Sequence, residues 1–250
     1  MTVVFVHGNP ESDAIWGPLL AELGRDDVLR LSPPGFGAPV PDGFGATVTE
    51  YRDWLIGELT ALGEPVHLIG HDWGGGHVVN VAVHRPDLLL SWAADVVGLF
   101  DPDYVWHDLA QVWQTPEAGE ANLAQMMGAS DADRAAALVG QGFPPEVAAQ
   151  VARAQGPEMA RCILALYRSA AQPAMAELGR DLERAAARPG AAFAPTADPF
   201  VGANGNALTR RTAARAGARV VELDGLGHWW MLQDPARAAT VLREFWATLA

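Results

Sequence analysis

Short apolar runs alternate with longer amphipathic segments along the first hundred residues of this chain. The runs Val3–Val6, Val28–Leu31 and Val66–Gly70 predict strands, because strands of a parallel sheet are buried on both faces and are apolar along most of their length. Apolar residues from 47 to 62 recur at helical spacing, and a further mostly apolar run covers 92–99. This alternation predicts a mostly parallel, doubly wound sheet.

The alternation stops between residues 100 and 188, where the chain becomes rich in alanine and glutamine. Alanine has the highest intrinsic helix propensity, and breaks at Pro116, Pro157 and Pro173 divide the segment into short pieces. The composition therefore predicts an all-helical insert, which we expect to cover the sheet as a cap, or lid.

After residue 189 the pattern of strands and helices resumes. Apolar runs and helical spacing predict four more elements, namely strands at 191–194 and 219–223 and helices at 207–217 and 235–249. With the first segment they predict an α/β fold of about six strands flanked by helices. We expect residues 1–99 and 189–250 to form the core, and residues 100–188 to form the cap.

The composition narrows the classes of protein that fit. With 250 residues, half of them apolar and 9 of them Trp, the chain is long enough to bury a large core. Its net charge of −13 disfavours nucleic acid and anionic membranes as partners. Cys162 is the single cysteine, which excludes an internal disulfide and a cysteine-built zinc site. Since no apolar run reaches membrane-spanning length, we expect a soluble cytoplasmic protein, either a monomer or a homodimer.

Residues 70–75, Gly-His-Asp-Trp-Gly-Gly, lie between a predicted strand and a predicted helix. The pattern Gly-x-nucleophile-x-Gly in this position forms a sharp turn that presents its central side chain, here Asp72. A carboxylate needs no base to deprotonate it and attacks saturated carbon to form an alkyl ester, which disfavours a serine esterase. The alternative interpretation is an ordinary glycine-rich turn in which Asp72 caps the helix.

Three further motifs accompany this turn. His-Gly-Asn-Pro at 7–10 follows the first predicted strand, Asp198 follows a later one, and His228 stands in Gly-His-Trp near the end. Nucleophile, acid and histidine is the chain order of the α/β hydrolases. The sequence resembles that superfamily over nearly its whole length, and within it the branch of epoxide hydrolases and haloalkane dehalogenases. Two strands that are usual at the N-terminus are not predicted here.

The resemblance implies an α/β-hydrolase fold and a catalytic triad of Asp72, His228 and Asp198. His228, oriented by Asp198, would draw a proton from water, and the resulting hydroxide would attack the Asp72 ester. The backbone N–H groups of Asn9 and Trp73, at the family's matching positions, would stabilise the oxyanion of that step. No metal and no organic cofactor is expected, because the nucleophile is already charged and the reaction is not redox.

The identity of the triad acid has an alternative. Asp95 lies at the end of an earlier predicted strand, and some dehalogenases carry their acid after that strand. Asp198 precedes a proline, which is also a common way to start a turn. Asp198 is favoured, and Asp95 is its rival.

Two leaving groups fit the resemblance. An epoxide oxygen needs an O–H donor, commonly a cap tyrosine, whereas a halide needs N–H donors such as Trp and Asn. Leu-Tyr-Arg at 166–168 resembles the motif that carries a ring-opening tyrosine in epoxide hydrolases, which implies Tyr167 as a donor. Tyr104 is the second tyrosine of the cap, although Leu109 or Gln111 stands where the other donor is usually found.

Asn9 and Trp73 also resemble the halide-holding pair of one group of haloalkane dehalogenases. We favour an epoxide hydrolase that converts an apolar epoxide to a vicinal diol, and a haloalkane dehalogenase that releases halide and alcohol is the alternative. A catalytically silent ligand-binding protein is a third interpretation, because a fold does not fix a function.

Large apolar side chains of the cap and of the final motif predict a cavity above Asp72 for a small apolar organic substrate. The candidates are Trp106, Trp113, Met126, Met127, Phe143, Leu166 and Trp229. The alternative is that each packs between cap and core. The short cap predicts a modest or solvent-open pocket.

Overall fold

A computed structural model describes residues 1–202 and 205–249, with a six-stranded sheet at its centre. The strands are β1 (Val3–Val6), β2 (Val28–Leu31), β3 (Val66–Gly70), β4 (Leu89–Ala94), β5 (Gly190–Pro195) and β6 (Ala218–Leu223). They lie in the order β2-β1-β3-β4-β5-β6, and every neighbouring pair is parallel. The predicted fold class, a parallel sheet of about six strands flanked by helices, is confirmed.

The helices of the described residues connect these strands. The α-helices are α1 (Gly17–Leu23), α2 (Val48–Leu62), α3 (Trp73–His84), α4 (Asp108–Gln114), α5 (Ala118–Gly128), α6 (Asp131–Gly140), α7 (Pro145–Ala154), α8 (Pro157–Ser169), α9 (Ala174–Leu178), α10 (Gly205–Arg215), α11 (Trp230–Gln233) and α12 (Pro235–Ala247). Short 3-10 helices lie at Asp13–Trp16, Pro86–Leu88, Val97–Phe100 and Gly179–Ala187. None of the described helices is both long and apolar enough to cross a membrane.

The ends of the helices that cover the sheet follow from local chemistry. Helix α2 begins at a capping box, in which Thr47 and Glu50 each accept the other's backbone N–H. It ends at Gly63, whose φ of 72° lies in the left-handed region that glycine adopts without strain. Helix α12 begins at Asp234, whose carboxylate accepts the N–H of Arg237. These signals determine where the covering helices start and stop.

The two faces of the sheet carry separate apolar cores, because successive residues of a strand point to opposite sides. Val4, Val6 and Leu68 pack on one face, in the core that contains residues of α2 and α3. Phe5 and Ile69 pack on the other face, in the core that contains residues of α1 and α12. Burying one such side chain contributes about 1.5–3 kcal/mol. Strands β1 and β3, which lead into the predicted site, are therefore held from both sides.

The predicted strand at 92–99 is shifted in the structure. Strand β4 pairs with β5 only as far as Ala94, and a 3-10 helix follows at Val97–Phe100. The chain leaves the sheet because the buried carboxylate of Asp95 accepts the backbone N–H of Asp72, at 2.9 Å. The residues after this break are apolar and buried as well, so the hydrophobic pattern alone continued the strand too far.

The segment between β4 and β5 is helical, as its composition predicts, and contains α4 to α9. Several hydrogen bonds tie it to the core, and two of them reach the ends of core elements. The Gln155 side chain donates to the carbonyl of Pro10 at 2.7 Å, and the Ser169 hydroxyl accepts the N–H of Val48 at 3.0 Å. The segment thus reaches over the ends of β1 and α2. Its role as a cap remains a prediction.

Candidate active site

Asp72 lies at the sharp turn between β3 and α3. Its backbone has φ 51° and ψ −128°, a strained conformation for a residue with a side chain. A Cβ atom on Gly74 would lie 2.2 Å from the carbonyl oxygen of Val6, and one on Gly8 would lie 2.2 Å from Asp72 Oδ1. The turn therefore requires glycine at both positions. The alternative interpretation of Asp72 as a side-chain cap of α3 is wrong, since its carboxylate makes no capping hydrogen bond.

The Asp72 carboxylate has one hydrogen-bonded oxygen and one that faces a histidine. Oδ1 accepts the backbone N–H of Asn9 at 2.9 Å, and the Asn9 side-chain Nδ2 lies 3.5 Å from the same oxygen. Oδ2 lies 3.7 Å from His228 Nε2. Burial raises the pKa of Asp72 to about 6, although the charge of His228 opposes this shift. Asp72 is therefore a poorly solvated carboxylate that is ionised at neutral pH.

His228, in the loop between β6 and α11, is oriented by Asp198. Its Nδ1 lies 2.8 Å from Asp198 Oδ2, and the other Asp198 oxygen accepts the N–H of Phe200 at 2.7 Å. Burial lowers the pKa of His228, but the carboxylates of Asp198 and Asp72 outweigh it and hold that pKa above its usual value. The structure thus brings Asp72, His228 and Asp198 into one chain of contacts.

Asp95, the rival acid, is engaged elsewhere. One of its oxygens accepts the N–H of Asp72, and the other lies 2.5 Å from His71 Nδ1 and accepts the indole N–H of Trp230 at 2.8 Å. Its pKa is lowered despite burial, because the His71 imidazolium lies beside it. Asp95 therefore positions the turn that carries Asp72 and is bonded to His71 instead of His228.

A buried polar cluster that the sequence analysis did not identify lies next to the side chains of Asp72 and His228. Glu11 Oε1 lies 3.2 Å from His71 Nε2 and also accepts the indole N–H of Trp229. The second Glu11 oxygen is buried without a partner among the described residues. Burial lowers the pKa of His71, but Asp95 and Glu11 raise it well above its usual value. His71 stands inside the turn motif at 70–75, and Glu11 directly follows the motif at 7–10. Neither motif indicates that the two side chains meet.

Among the described residues, two side chains of this cluster and His228 form a group of potential metal ligands. Ligand atoms of Glu11, His71 and His228 lie within 4.8 Å of one another. Two of these side chains, Glu11 and His71, are already bonded to each other, and the charge of His71 is matched by Asp95 and Glu11. The arrangement is therefore explained by ion pairing without a metal.

Tyr167, on α8, lines the same cavity as Asp72. Its hydroxyl oxygen accepts the Nδ2–H of Asn9 at 3.3 Å, and its ring meets the ring of Trp73 edge-on with centroids 5.3 Å apart. Burial and the nearby charge of Asp72 raise the pKa of Tyr167 well above 10, while the side-chain N–H groups of Asn9 and Trp73 act in the opposite direction. The phenol is therefore protonated at any physiological pH and can donate its proton.

Tyr104, the second predicted donor, is buried outside the cavity lining. It packs edge-on against Trp106 at 5.2 Å, and burial raises its pKa. At the two positions where the other donor is usually found, the Gln111 side chain donates to the carbonyl of Trp106 at 2.6 Å. Leu109 lines the cavity. Of the two cap tyrosines, Tyr167 is the one that lines the cavity.

A cavity of about 500 Å³ opens above Asp72, Asn9 and His228. Its apolar wall includes Leu109, Trp113, Met126, Met127, Leu138 and Phe143, and Trp229 also lines it. The predictions for Trp113, Phe143 and Trp229 therefore agree with the lining in the described part of the chain, as do those for Met126 and Met127.

Two of the predicted pocket residues, Trp106 and Leu166, lie outside this lining, so the prediction is corrected for them. Trp106 stacks on Trp73 at 5.7 Å with its indole N–H buried, and Leu166 is completely buried in an apolar core. Leu166 and Tyr167 are adjacent on one helix and point about 100° apart, so when Tyr167 faces the cavity Leu166 faces the core.

Two known proteins are similar in sequence to segments of this chain. A segment of 81 residues, 29% of the chain, is 44% identical to the probable oxidoreductase EphD of Mycobacterium tuberculosis (strain ATCC 25618 / H37Rv). A segment of 91 residues, 34% of the chain, is 33% identical to an epoxide hydrolase of Caballeronia sordidicola. The chain spans only 13% and 27% of the lengths of these two relatives.

The fold is similar to that of a loop variant of the haloalkane dehalogenase DbeA from Bradyrhizobium elkanii. The TM-score is 0.70, with 21% sequence identity over 100% of this chain and 91% of that one, and so low an identity shows the fold alone. A model of the alpha/beta hydrolase family matches residues 3–241, which include the turn at Asp72, the Asp198 loop and His228. The chain therefore belongs to the alpha/beta hydrolase family.

Proposed function

We propose that this protein is an epoxide hydrolase that acts through an ester of Asp72. The observation that carries the proposal is the position of the Tyr167 hydroxyl, which lines the cavity beside the nucleophile and accepts the Nδ2–H of Asn9. Because its oxygen accepts that N–H, its own proton is available to a third group. An epoxide oxygen above Asp72 is a suitable acceptor.

The first step opens the ring. Asp72 Oδ2, which is not bonded to the Asn9 backbone, attacks an epoxide carbon, and the C–O bond of the ring breaks. The departing oxygen takes the proton of Tyr167, whose high pKa keeps it protonated until a strong base forms. The products are an alkyl ester on Asp72 and a tyrosinate, which recovers its proton from water.

The second step hydrolyses the ester. Once Asp72 is esterified it carries no charge, so one of the two carboxylates that raise the pKa of His228 is lost. His228 can then take a proton from water, and the hydroxide attacks Cγ of Asp72. The Asn9 N–H, already on Oδ1, stabilises the oxyanion that forms there. A donor of this kind contributes about 2.7–4 kcal/mol to transition-state stabilisation. The bond between Cγ and the ester oxygen then breaks, that oxygen takes the proton from His228, and the diol leaves the regenerated Asp72 carboxylate.

The second candidate is a haloalkane dehalogenase, which is favoured by the side-chain Nδ2 of Asn9, 3.5 Å from Asp72 Oδ1. A halide site would need the side-chain N–H groups of Asn9 and Trp73 to converge on the departing ion. In the structure the Asn9 Nδ2–H is donated to the Tyr167 hydroxyl, so a halide would have to displace that hydrogen bond. This competition makes the epoxide the better-supported substrate.

A paired assay tests the proposal. Purified enzyme is given styrene oxide and 1-bromobutane, diol and bromide are followed, and Asp72→Ala serves as the control. Diol without bromide supports the epoxide hydrolase, and bromide without diol supports the dehalogenase. Tight binding of either compound with no turnover would favour the catalytically silent interpretation.

A further inference from the structure

We propose that the substrate is an elongated, uncharged epoxide with a neutral polar group at its far end, and that carboxylate-bearing epoxides are excluded. This inference rests on the proposed function, since it takes Asp72 as the point where the epoxide reacts. It deepens that function by assigning what the remainder of the cavity binds.

The cavity has the volume for such a molecule, and its lining runs from buried to exposed residues. Buried side chains of Trp113, Met127 and Phe143 line its inner part, whereas Gln125 and Gln141 line it and are exposed, so they mark its mouth. The mouth lies at helices α5 and α6, and the floor lies at Asp72. Its volume of about 500 Å³ falls within the range of sites that enclose drug-sized ligands. A compound with only a few heavy atoms would leave much of this space to water.

The cavity wall offers no available cation to a carboxylate. Arg134 is the one Arg or Lys in the lining of the described residues, and its five N–H groups are all used. Nε and Nη2 donate to the carbonyl of Ala152, at 3.3 and 3.2 Å, and Nη2 also donates to Asp131 at 2.6 Å. Nη1 donates to the carbonyls of Met127, at 2.8 Å, and Ala129. The guanidinium therefore holds α5, α6 and α7 together.

The remaining charged groups of the lining are unfavourable to an anion. His107 is held neutral, since burial lowers its pKa to about 4, and His228 is already paired with Asp198. Three carboxylates line the cavity, those of Glu11, Asp72 and Asp133. A carboxylate on the substrate would find no free cation in the lining and would face like charges, those of Glu11 and Asp72 inside the cavity and that of Asp133, which is exposed.

Neutral polar groups of the substrate do have partners near the mouth. The side-chain amides of Gln125 and Gln141 both line the cavity and can each donate and accept hydrogen bonds. They suit an amide, ester or hydroxyl at the end of an apolar chain. The cavity therefore combines an apolar middle with a neutral polar end.

A matched pair of substrates tests the inference, with styrene oxide as a reference. An undecanamide with a terminal epoxide is compared with the corresponding undecanoate at a pH of about 8, where the carboxylate is ionised. We expect kcat/KM for the amide to exceed that for the carboxylate by at least about tenfold, because only the carboxylate is repelled by the like charges of the lining. A carboxylate hydrolysed as well as the amide overturns the inference, as does turnover of styrene oxide with neither long compound. No diol from any of the three overturns the proposed function itself.

A variant with a positive charge at the cavity mouth tests the same inference. Gln141→Arg puts a cation at an exposed lining position away from Asp72, and Gln150→Arg puts the same charge on an exposed position of α7 outside the lining. We expect Gln141→Arg to raise kcat/KM for the carboxylate relative to that for the amide at least about fivefold, since the new charge pairs only with an anion. Gln150→Arg should leave this ratio as it is in the unchanged protein. An equal effect of both variants on the ratio, or no effect of Gln141→Arg on it, contradicts the proposal.

Discussion

The sheet core and the helical insert build the two halves of the cavity in different ways. On the core side, Asp72, Asn9 and His228 stand on loops that follow strands, and backbone geometry or charged hydrogen bonds fix each of them. On the insert side, Tyr167 and Phe143 are held mainly by packing against other aromatic rings. In the proposed reaction the core therefore supplies the nucleophile and the base, whereas the insert supplies the proton donor and the apolar wall. Changes in the core should alter formation or hydrolysis of the ester, and changes in the insert should alter ring opening and substrate preference.

The largest effect is expected from His228→Gln. The variant keeps the Asp72 nucleophile but lacks the base for ester hydrolysis, so turnover should fall by at least about 10³-fold. Intact protein mass should rise by the mass of one styrene oxide, because ring opening adds the whole epoxide to Asp72. The double variant Asp72→Ala with His228→Gln is the control and should gain no mass. An unmodified His228→Gln protein would count against the ester mechanism.

A comparison of two acids within the core comes next. Asp198→Asn should lower kcat by about 10³-fold with little change in stability, because His228 loses the carboxylate that orients it. Asp95→Asn should instead lower the free energy of unfolding by about 3 kcal/mol, because it leaves the buried His71 cation with Glu11 as its remaining carboxylate. Kinetics and urea denaturation of both variants measure the contrast. If Asp95→Asn abolishes turnover and Asp198→Asn does not, the roles of the two acids are reversed.

The insert side is tested by Tyr167→Phe. Loss of the proton donor should reduce turnover of styrene oxide by about 10²-fold, a typical contribution of general acid catalysis. Tyr104→Phe is the matched control, and its effect should be small because Tyr104 does not line the cavity. Rates of diol formation by the two variants, with thermal stability measured alongside, make the comparison. Full activity of Tyr167→Phe would assign that residue to packing and would mean that another group protonates the departing oxygen.

Much of the core could be predicted from the sequence, because its signals are local. The apolar runs predict β1, β2 and β3 with the bounds found in the structure, and the glycine pattern around Asp72 predicts the strained turn. The end of β4 was missed, since Asp95 interrupts a run that is apolar and buried on both sides. What decides that boundary is a contact with Asp72, on another part of the chain.

The cavity was only partly predictable, because it depends on which face of each insert helix turns inward. Trp106 and Leu166 have the same apolar character as Trp113 and Phe143, yet they pack away from the cavity. The Glu11 and His71 contact joins residues 60 positions apart and carries no local signal. Arg134 is similar, because nothing in its local sequence shows that its N–H groups are all bonded to neighbouring helices.

The smallest effect concerns pH and involves both halves of the cavity. The pKa of Asp72 is raised to about 6, chiefly by burial, and the protonated acid is not a nucleophile. Activity should therefore be present above this pKa and be lost below it, so kcat/KM should fall about tenfold from pH 7 to pH 5. Tryptophan fluorescence over the same range separates this loss from unfolding.

Because Phe143 is part of the wall that excludes water, Phe143→Ala should move the acid limb of this pH profile to lower pH. A limb that stays in place would mean that burial by the core alone sets the pKa of Asp72.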